Sequence, residues 1–394
     1  MGLADSAAKF AATIPAKRTA PTGFEPGVKY EGNVPVEVSL NLQSIPDDEQ
    51  AYRDEIKRIT KLELPDDRSV EIAQVRYWGM PGQEQIYVRF TIADRPKPAD
   101  AVDYPALLKI IRGNRRAAPR KTATGRTRVV VISDTQIGKV GAGGGKEEFL
   151  ARIDDSLRQL DDVLKAEPCD DLLIVDPGDL IENDKNVQAQ IATNDLSVPE
   201  QIELATVVLT DIVSALAARF ASTRVVTVPS NHGQYRSFMG KGGAAGKPSD
   251  DFGLTVHKLA AHAFAFGKRD DVSWVIPETW RESLAIRVQD MVVGVVHGHQ
   301  FNPGQAGKWW AGQTHGDQPT AAAHLLIHGH YHNASIGQSG AIAGRPRWIV
   351  AADAMDAGSD WFQNISGEVS EPSVTTFTIS GDRWDNYRRI VPTP

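Results

Sequence analysis

Residues 325–332 read Leu-Leu-Ile-His-Gly-His-Tyr-His, so that three histidines directly follow a short apolar run. Alternate side chains of a strand share a face, and the glycine at the end of the apolar run predicts that the chain turns here. His328, His330 and His332 are therefore expected to crowd one strand end. Neutral imidazole is the commonest protein ligand of metal ions, so the stretch indicates a metal site. Three surface histidines in a turn are the alternative.

The composition is that of an ordinary soluble globular chain. With 394 residues, of which 41% are hydrophobic and 24% are charged, it is long enough for two domains and a large core. No apolar run approaches the roughly 20 residues that a membrane span needs, and residues 1–17 lack the apolar centre of a secretory signal. The single cysteine, Cys169, excludes internal disulfides and fits a reducing cytoplasm, which is the expected location. The net charge of -7 argues against nonspecific binding of nucleic acid through global charge, although it leaves room for a local basic channel.

The first part of the chain has the pattern of a small accessory domain. Residues 1–27 are rich in Ala, Pro, Thr and Lys without periodicity, which predicts a disordered arm. Residues 47–64 carry apolar side chains at helical spacing. Strand patterns occur in three segments, residues 34–42, 70–77 and 85–93. Residues 28–111 are therefore expected to form an α+β domain.

A basic stretch, residues 112–127, separates this domain from residues 128–394. Its basic side chains are those of Arg112, Arg115, Arg116, Arg120, Lys121 and Arg126. The charge run, together with Pro119 and Gly125, predicts a solvated linker. The functional alternative is a strip that contacts a phosphate backbone.

Beyond residue 128 the chain repeats a strand, a loop and a helix, and beyond residue 280 it changes to hairpins. This order predicts mixed sheets flanked by helices, an α/β or α+β fold class. Five predicted strands end in side chains that suit a metal, which are Asp134, Asp179, Asn231, His297 and the pair His330 and His332. In open α/β sheets, functional groups collect where the carboxyl ends of strands converge on one crevice. A single Asp after a strand is usually a turn former, but five such ends in succession indicate one site.

The order Asp-x-Gln, Gly-Asp, Asn-His-Gly, His-Gly-His and Gly-His-x-His resembles the motif set of the calcineurin-like metallophosphoesterase superfamily, over about residues 128–380. The resemblance implies a double-layered β sandwich of mixed sheets flanked by helices, with two divalent metals at one edge. Asp179 would bridge the two metals. The first site would add Asp134, Gln136 and His332, and the second site would add Asn231, His297 and His330. Manganese is the expected metal, ahead of Fe, Zn or Ni.

The chemistry of such a pair of metals is hydrolysis of a phosphate ester. Two divalent cations about 3.5–4 Å apart clamp phosphoryl oxygens and lower the pKa of a bridging water, which then attacks phosphorus in line as hydroxide. The resemblance assigns the catalytic roles to Asp179, between the metals, and to His232, which would face the leaving oxygen. A protonated His232 can donate to that oxygen or stabilise the equatorial charge.

The expected substrate is a phosphodiester, with DNA first because the His-Gly-His and Gly-His-x-His motifs resemble the DNA-repair nuclease branch. The alternatives are a cyclic-nucleotide or nucleotide phosphodiesterase and a phosphomonoesterase. A further alternative is a non-catalytic scaffold on a degenerate domain, which has its only support in Gln136, because the family usually has Asp-x-His there. An amide oxygen is generally a weaker ligand than imidazole for Zn or Mn, so the first metal is expected to be held more loosely.

Four residues that the motifs do not assign to a metal are candidate substrate contacts, Arg236, His299, Trp309 and Trp310. The two tryptophans lie in a predicted loop after His297, where an aromatic pair could stack on a base. The alternative is that they pack this loop onto the body of the protein. No membrane partner is expected, and the sequence does not indicate an oligomeric state.

Overall fold

A computed structural model describes residues 25–393 apart from 47, 79–84, 95–123, 142, 187–189, 191–192, 239–242, 244–245, 357, 359–366 and 368–370. The chain divides into two compact units, Met1–Asp100 and Ala101–Pro394. Nearly all of the predicted arm lies outside the described residues, as do residues 112–123 of the basic stretch. Both predictions therefore stay predictions.

The first unit has one antiparallel sheet and one helix among its described residues. Its strands are β1 (Gly27–Glu31), β2 (Val34–Leu42), β3 (Arg68–Trp78) and β4 (Gln85–Asp94), in the order β1-β2-β4-β3. Helix α1 (Glu49–Thr60) begins after Asp48, whose side chain accepts a hydrogen bond of 2.8 Å from the Ala51 amide. Ile56 of α1 packs on Val38 and Phe90 of the sheet. The three predicted strands and the helix are confirmed, while the short β1 escaped prediction.

The second unit contains a six-stranded mixed sheet. Its strands are β5 (Arg126–Val131), β6 (Asp171–Asp176), β7 (Ser222–Thr227), β8 (Val272–Val275), β14 (Val374–Ser380) and β15 (Arg383–Ile390), in the order β15-β14-β5-β6-β7-β8. From β5 to β8 the neighbours are parallel. Parallel neighbours need crossovers, and α2 (Lys146–Ala166), α3 (Val198–Ala217) and α4 (Phe252–Phe266) provide them.

A five-stranded mixed sheet completes the unit. Its strands are β9 (Ser283–Val288), β10 (Met291–Val296), β11 (Leu325–His328), β12 (Ser335–Ile342) and β13 (Arg345–Ala351), in the order β12-β13-β11-β10-β9. Helix α5 (Ala306–His315) lies between β10 and β11 in the chain. Because β10, β11 and β13 run parallel, their carboxyl ends lie at the same edge of the sheet.

The two sheets of the second unit pack face to face. Val129 and Val175 of one sheet share a buried cluster with Val293 and Ile327 of the other. A second cluster, which includes Leu160, Val213 and Phe264, joins α2, α3 and α4 to the outer face of the six-stranded sheet. This is the sandwich of mixed sheets flanked by helices that the resemblance implies, so the predicted fold class is confirmed.

The prediction of a loop around Trp309 and Trp310 is wrong, because both residues lie in α5. Only two of its ten residues, Ala306 and Trp310, are buried, so its sequence lacks the apolar periodicity of a longer surface helix. Strand β12 escaped prediction for a related reason, since its residues are largely exposed and do not alternate. Among the described residues, no helix is both long and apolar enough to cross a membrane.

Candidate metal centre

The strand ends of both sheets meet at one edge of the sandwich. Backbone hydrogen bonds tie the loops after β5 and β6 together, from the Asp134 amide to the Gly178 carbonyl at 3.2 Å and from the Gln136 amide to the Asp179 carbonyl at 2.9 Å. The His330 amide donates across the sandwich to Asp134, at 3.0 Å from Oδ2. The loops that carry the predicted ligands are therefore in direct contact.

Tight backbone turns aim these side chains. Five of the seven predicted ligands have a positive φ, which is uncommon for residues other than glycine: Asp134 (49°), Gln136 (41°), Asp179 (54°), His330 (71°) and His332 (57°). Each such residue costs ~1–3 kcal/mol and persists only where its surroundings hold it. Backbone strain of this kind clusters at functional sites, so its concentration here points to function.

Two glycines of the motifs are required by close approach. A Cβ at Gly329 would overlap Ser133 Oγ and Asp134 Oδ2. At Gly178, where φ is 113°, a Cβ would lie 2.5 Å from Ser230 Cβ. Any side chain at these positions would push the ligand-bearing loops apart.

The second site gathers oxygen and imidazole donors at close range. Nε2 of His297 lies 3.0 Å from Asp179 Oδ2 and 2.9 Å from Asn231 Oδ1. Nδ1 of the same ring lies 2.9 Å from the Pro177 carbonyl, and a hydrogen bond there leaves Nε2 for a metal. The ligand atoms of Asp179, His297 and His330 all lie within 4.8 Å of one another, and within the described part of the chain this is the one such trio of His, Cys, Asp or Glu. The donors of the second site therefore fit a divalent metal.

The first site is arranged differently. His332 Nε2 lies 3.4 Å from Asp134 Oδ1, and His332 Nδ1 lies 3.4 Å from Asp356 Oδ1. The Gln136 side-chain oxygen accepts a hydrogen bond of 2.6 Å from Lys139 Nζ, and Lys139 also forms an ion pair with Asp356. Gln136 therefore contacts a cation of the protein itself, which does not fit ligation of a metal by its side-chain oxygen.

His330 and His332 hold protons differently. Burial lowers the pKa of His297 at the second site, but the carboxylate of Asp179 outweighs it and raises that pKa, as the carboxylates around His332 do. Burial lowers the pKa of His330 to about 4, and the neighbouring His297 acts in the same direction. Burial also lowers the pKa of His332, but the carboxylates of Asp356 and Asp134 outweigh it and raise the pKa to about 10. At neutral pH, His330 therefore offers a lone pair, whereas His332 is an imidazolium.

The predicted catalytic residues contact each other beside the second site. The His232 amide donates to Asp179 Oδ1 at 2.8 Å, and His232 Nδ1 lies 3.1 Å from Glu182 Oε2. Burial lowers the pKa of His232, but Asp179 and Glu182 outweigh it and raise the pKa to about 9. Burial raises the pKa of Asp179, but His297 and His232 hold it well below its usual range. Asp179 is therefore ionised and His232 carries a proton.

Two of the four candidate substrate contacts lie beside the second site. Arg236 is only 3% exposed and donates through Nη2 to the Asn231 carbonyl at 3.2 Å. Its Nε and Nη1 are buried, and neither has a hydrogen-bond partner among the described residues. The ring of His299 lies 5.4 Å from that of His297 and 6.2 Å from that of His330. Burial lowers the pKa of His299 to about 3, and the neighbouring His297 contributes, so the ring is neutral.

The tryptophan pair belongs to the packing of α5. Trp310 is fully buried, and its Nε1 donates to the Thr320 carbonyl at 2.8 Å. The Arg347 guanidinium lies 3.6 Å from the centre of its ring. The ring of Trp309 lies 5.4 Å from that of Phe301. The prediction that Trp310 stacks on a substrate base is therefore wrong. Its ring has no free face, so the residue has a structural role.

Sequence reasoning missed Lys139, Glu182 and Asp356. Asp356 follows β13 as Asp134 follows β5, so the rule that a carboxylate follows a strand end could have found it. Glu182 stands three residues after Asp179, so its nearness to the Gly-Asp motif is a weaker signal of the same kind. Lys139 had no such signal, since a single lysine in a loop is ordinarily solvated.

Comparisons with known proteins find solved structures of low similarity. No protein-family model and no curated protein matches the chain. A structure of Vps29 from Entamoeba histolytica matches with a TM-score of 0.28 and 13% identity, covering 68% of this chain and 99% of that chain. A Streptococcus pneumoniae protein, described as a predicted phosphoesterase, matches with a TM-score of 0.28 and 13% identity over 65% of this chain and 85% of its own. A purple acid phosphatase from yellow lupin matches with a TM-score of 0.32 and 11% identity, covering 90% of this chain and 70% of that chain.

Proposed function

We propose that this chain is a metal-dependent phosphoesterase whose metal ion is held at the second site. The observation that carries the proposal is the trio Asp179, His297 and His330, whose ligand atoms lie within 4.8 Å of one another. Asn231 Oδ1 adds a neutral oxygen, 2.9 Å from His297 Nε2. Mixed oxygen and imidazole donors suit Mn, Fe, Zn or Ni, and manganese is the first to be tested.

A divalent metal at this site supplies Lewis acidity toward a phosphoryl oxygen and lowers the pKa of water. The chain's own groups position the ester and move protons. Arg236 supplies the positive charge of a buried guanidinium, which attracts the phosphate to the second site; its Nε and Nη1 have no hydrogen-bond partner among the described residues. His232 keeps a proton between Asp179 and Glu182 and gives it to the leaving oxygen.

We infer phosphodiesters as the first substrate class, with DNA as the first polynucleotide. Arg236, at the second site, suits the phosphate of either a diester or a monoester. The preference for DNA therefore comes from the resemblance of the His-Gly-His and Gly-His-x-His motifs to the DNA-repair nuclease branch. The burial of Trp310 removes one supposed base contact. Residues 112–123, which hold most of the basic stretch, lie outside the described residues and add no support.

Hydrolysis of bis(p-nitrophenyl) phosphate by the purified chain with Mn²⁺ tests the proposal. Asp179→Asn is expected to lower kcat/KM by about 10³-fold, because it removes a charged metal ligand. His262→Ala, which alters an exposed histidine of α4, is the matched control and should keep full activity. A folded chain that is inactive with Mn, Fe, Zn and Ni would instead support the non-catalytic scaffold.

The substrate class needs a side-by-side panel at one metal concentration. It comprises single-stranded DNA, double-stranded DNA, RNA, a cyclic nucleotide and a phosphomonoester. Faster cleavage of DNA than of the other diesters supports the nuclease. Activity on the monoester alone overturns the proposed diester specificity while leaving a metal-dependent phosphatase.

A further inference from the structure

The first site presents a lysine beside one of its predicted metal ligands. Lys139 Nζ lies 2.6 Å from the side-chain oxygen of Gln136. This oxygen is the only atom through which a glutamine side chain ordinarily ligates a divalent metal, and here it accepts a hydrogen bond from an ammonium. The motif residue that departs from the family is therefore paired with a cation of the chain itself.

Carboxylates hold this ammonium in place. The side chain of Lys139 is 15% exposed and that of its ion-pair partner Asp356 is 2% exposed. A buried charge persists where opposite charge compensates it, and Asp134 and Glu182 also act on Lys139 electrostatically. Asp356 thus holds a cation beside the first site.

His332 shares this arrangement. Its Nδ1 lies 3.4 Å from Asp356, the carboxylate that pairs with Lys139, and its Nε2 lies 3.4 Å from Asp134. Asp356 therefore joins the lysine to the histidine that the motif assigns to the first metal. A divalent ion among these groups would meet the positive charge of Lys139 at short range, where like charges repel strongly.

We infer that Lys139 withholds Gln136 from the first metal, so that the chain works with a single metal ion at the second site. The inference rests on the proposed phosphoesterase function, since the second site must hold its ion. An ammonium offers three N–H donors and one positive charge, so beside the first site it both binds the Gln136 oxygen and repels a divalent ion. Gln136 is then the partner of Lys139, and its amide suits this role because it accepts a hydrogen bond without adding a charge.

The number of manganese ions per chain tests this. The full chain is dialysed against Mn²⁺, its metal content is measured by mass spectrometry, and its low-temperature electron paramagnetic resonance spectrum is recorded. The expected result is one Mn per chain with the signal of an isolated ion. The double variant Gln136→His with Lys139→Ala is expected to bind two, with the signal of an exchange-coupled pair.

Matched variants keep the test interpretable. Lys146→Ala removes a nearby lysine that pairs with Asp195 and Glu147, and it should leave one Mn per chain. Lys139→Met keeps the aliphatic stem and serves if the double variant fails to fold. It is expected to tighten a second ion by about tenfold or more, since one repelling charge is gone.

Two coupled ions, or none, in the unaltered chain would overturn the inference. It would also be overturned if both Lys139 variants folded normally and still bound one ion with unchanged affinity. Measuring hydrolysis of the diester in the same samples separates this result from the proposed function. One bound Mn without hydrolysis supports the inference and refutes the function, whereas hydrolysis with two bound ions does the reverse.

Discussion

The second site and the first receive neighbouring histidines from one turn, yet they hold those histidines in opposite charge states. His330 belongs to the second site, where its neighbours His297 and His299 are also imidazoles. His332 belongs to the first site and lies between the carboxylates of Asp134 and Asp356. The difference teaches that a motif places ligands, while the charges around each ligand decide whether it is free to bind a metal.

The same contrast extends to the other donors of the two sites. At the second site, the Pro177 carbonyl lies at Nδ1 of His297, so Nε2 can face a metal. At the first site, Lys139 donates a hydrogen bond to the side-chain oxygen of Gln136 and pairs with Asp356. The second site is thus prepared for a cation from solution, whereas at the first site a cation of the chain is already paired with one of the predicted ligands.

The largest difference between the two sites is expected when each of these histidines is replaced by alanine. His330→Ala should lower kcat/KM for the chromogenic diester by about 10²–10³-fold, because it removes a ligand of the single metal. His332→Ala should lower it by about tenfold at most. Steady-state kinetics at saturating Mn²⁺ measures both values.

The control for this pair is metal content. His330→Ala should lose the bound Mn, while His332→Ala should keep it. Equal losses of activity from the two substitutions, each with loss of metal, would show two equivalent metal positions and would remove the distinction between the sites.

For physical reasons, the sequence predicts the ligands of the second site but only part of the first site. Asp179, His297 and His330 each follow a strand, and parallel strands carry such residues to one edge, so their order along the chain contains the geometry. Lys139 acquires its role through Asp356, more than two hundred residues away, and no local pattern encodes that contact. Packing, which the sequence left as the alternative for Trp310, also depends on a distant residue, because Arg347 of β13 covers its ring.

A smaller effect is expected from His232, which lies beside the second site and is proposed to donate a proton to the leaving oxygen. His232→Gln is expected to slow hydrolysis of an alkyl diester by about 10²-fold, since an alkoxide needs a proton as it leaves. The loss on a nitrophenyl diester should be under about tenfold, because nitrophenolate leaves without one. Rates measured against the pKa of the leaving group give this comparison, and an equal loss for both esters would contradict proton donation by His232.

The two sites should also respond oppositely to pH in the chelated protein. The pKa of His330 is lowered to about 4 from an ordinary value of 6.5. Between these values the unfolded chain binds more protons than the folded chain at this residue, so stability falls as the pH falls through the window. The pKa of His332 is raised to about 10 from 6.5, so the folded chain binds more protons there, and stability falls as the pH rises from 6.5 to 10.

This smallest predicted effect can be read from urea unfolding in EDTA between pH 4 and pH 10. Each histidine contributes a slope of at most about 1.4 kcal/mol per pH unit. His330→Gln should flatten the acid side of the stability curve, and His332→Gln should flatten the alkaline side. His315→Gln, at an exposed position of α5, should change neither side. If both substitutions flattened the same side, the two histidines would not differ in charge, and the contrast between the second site and the first would lose its electrostatic basis.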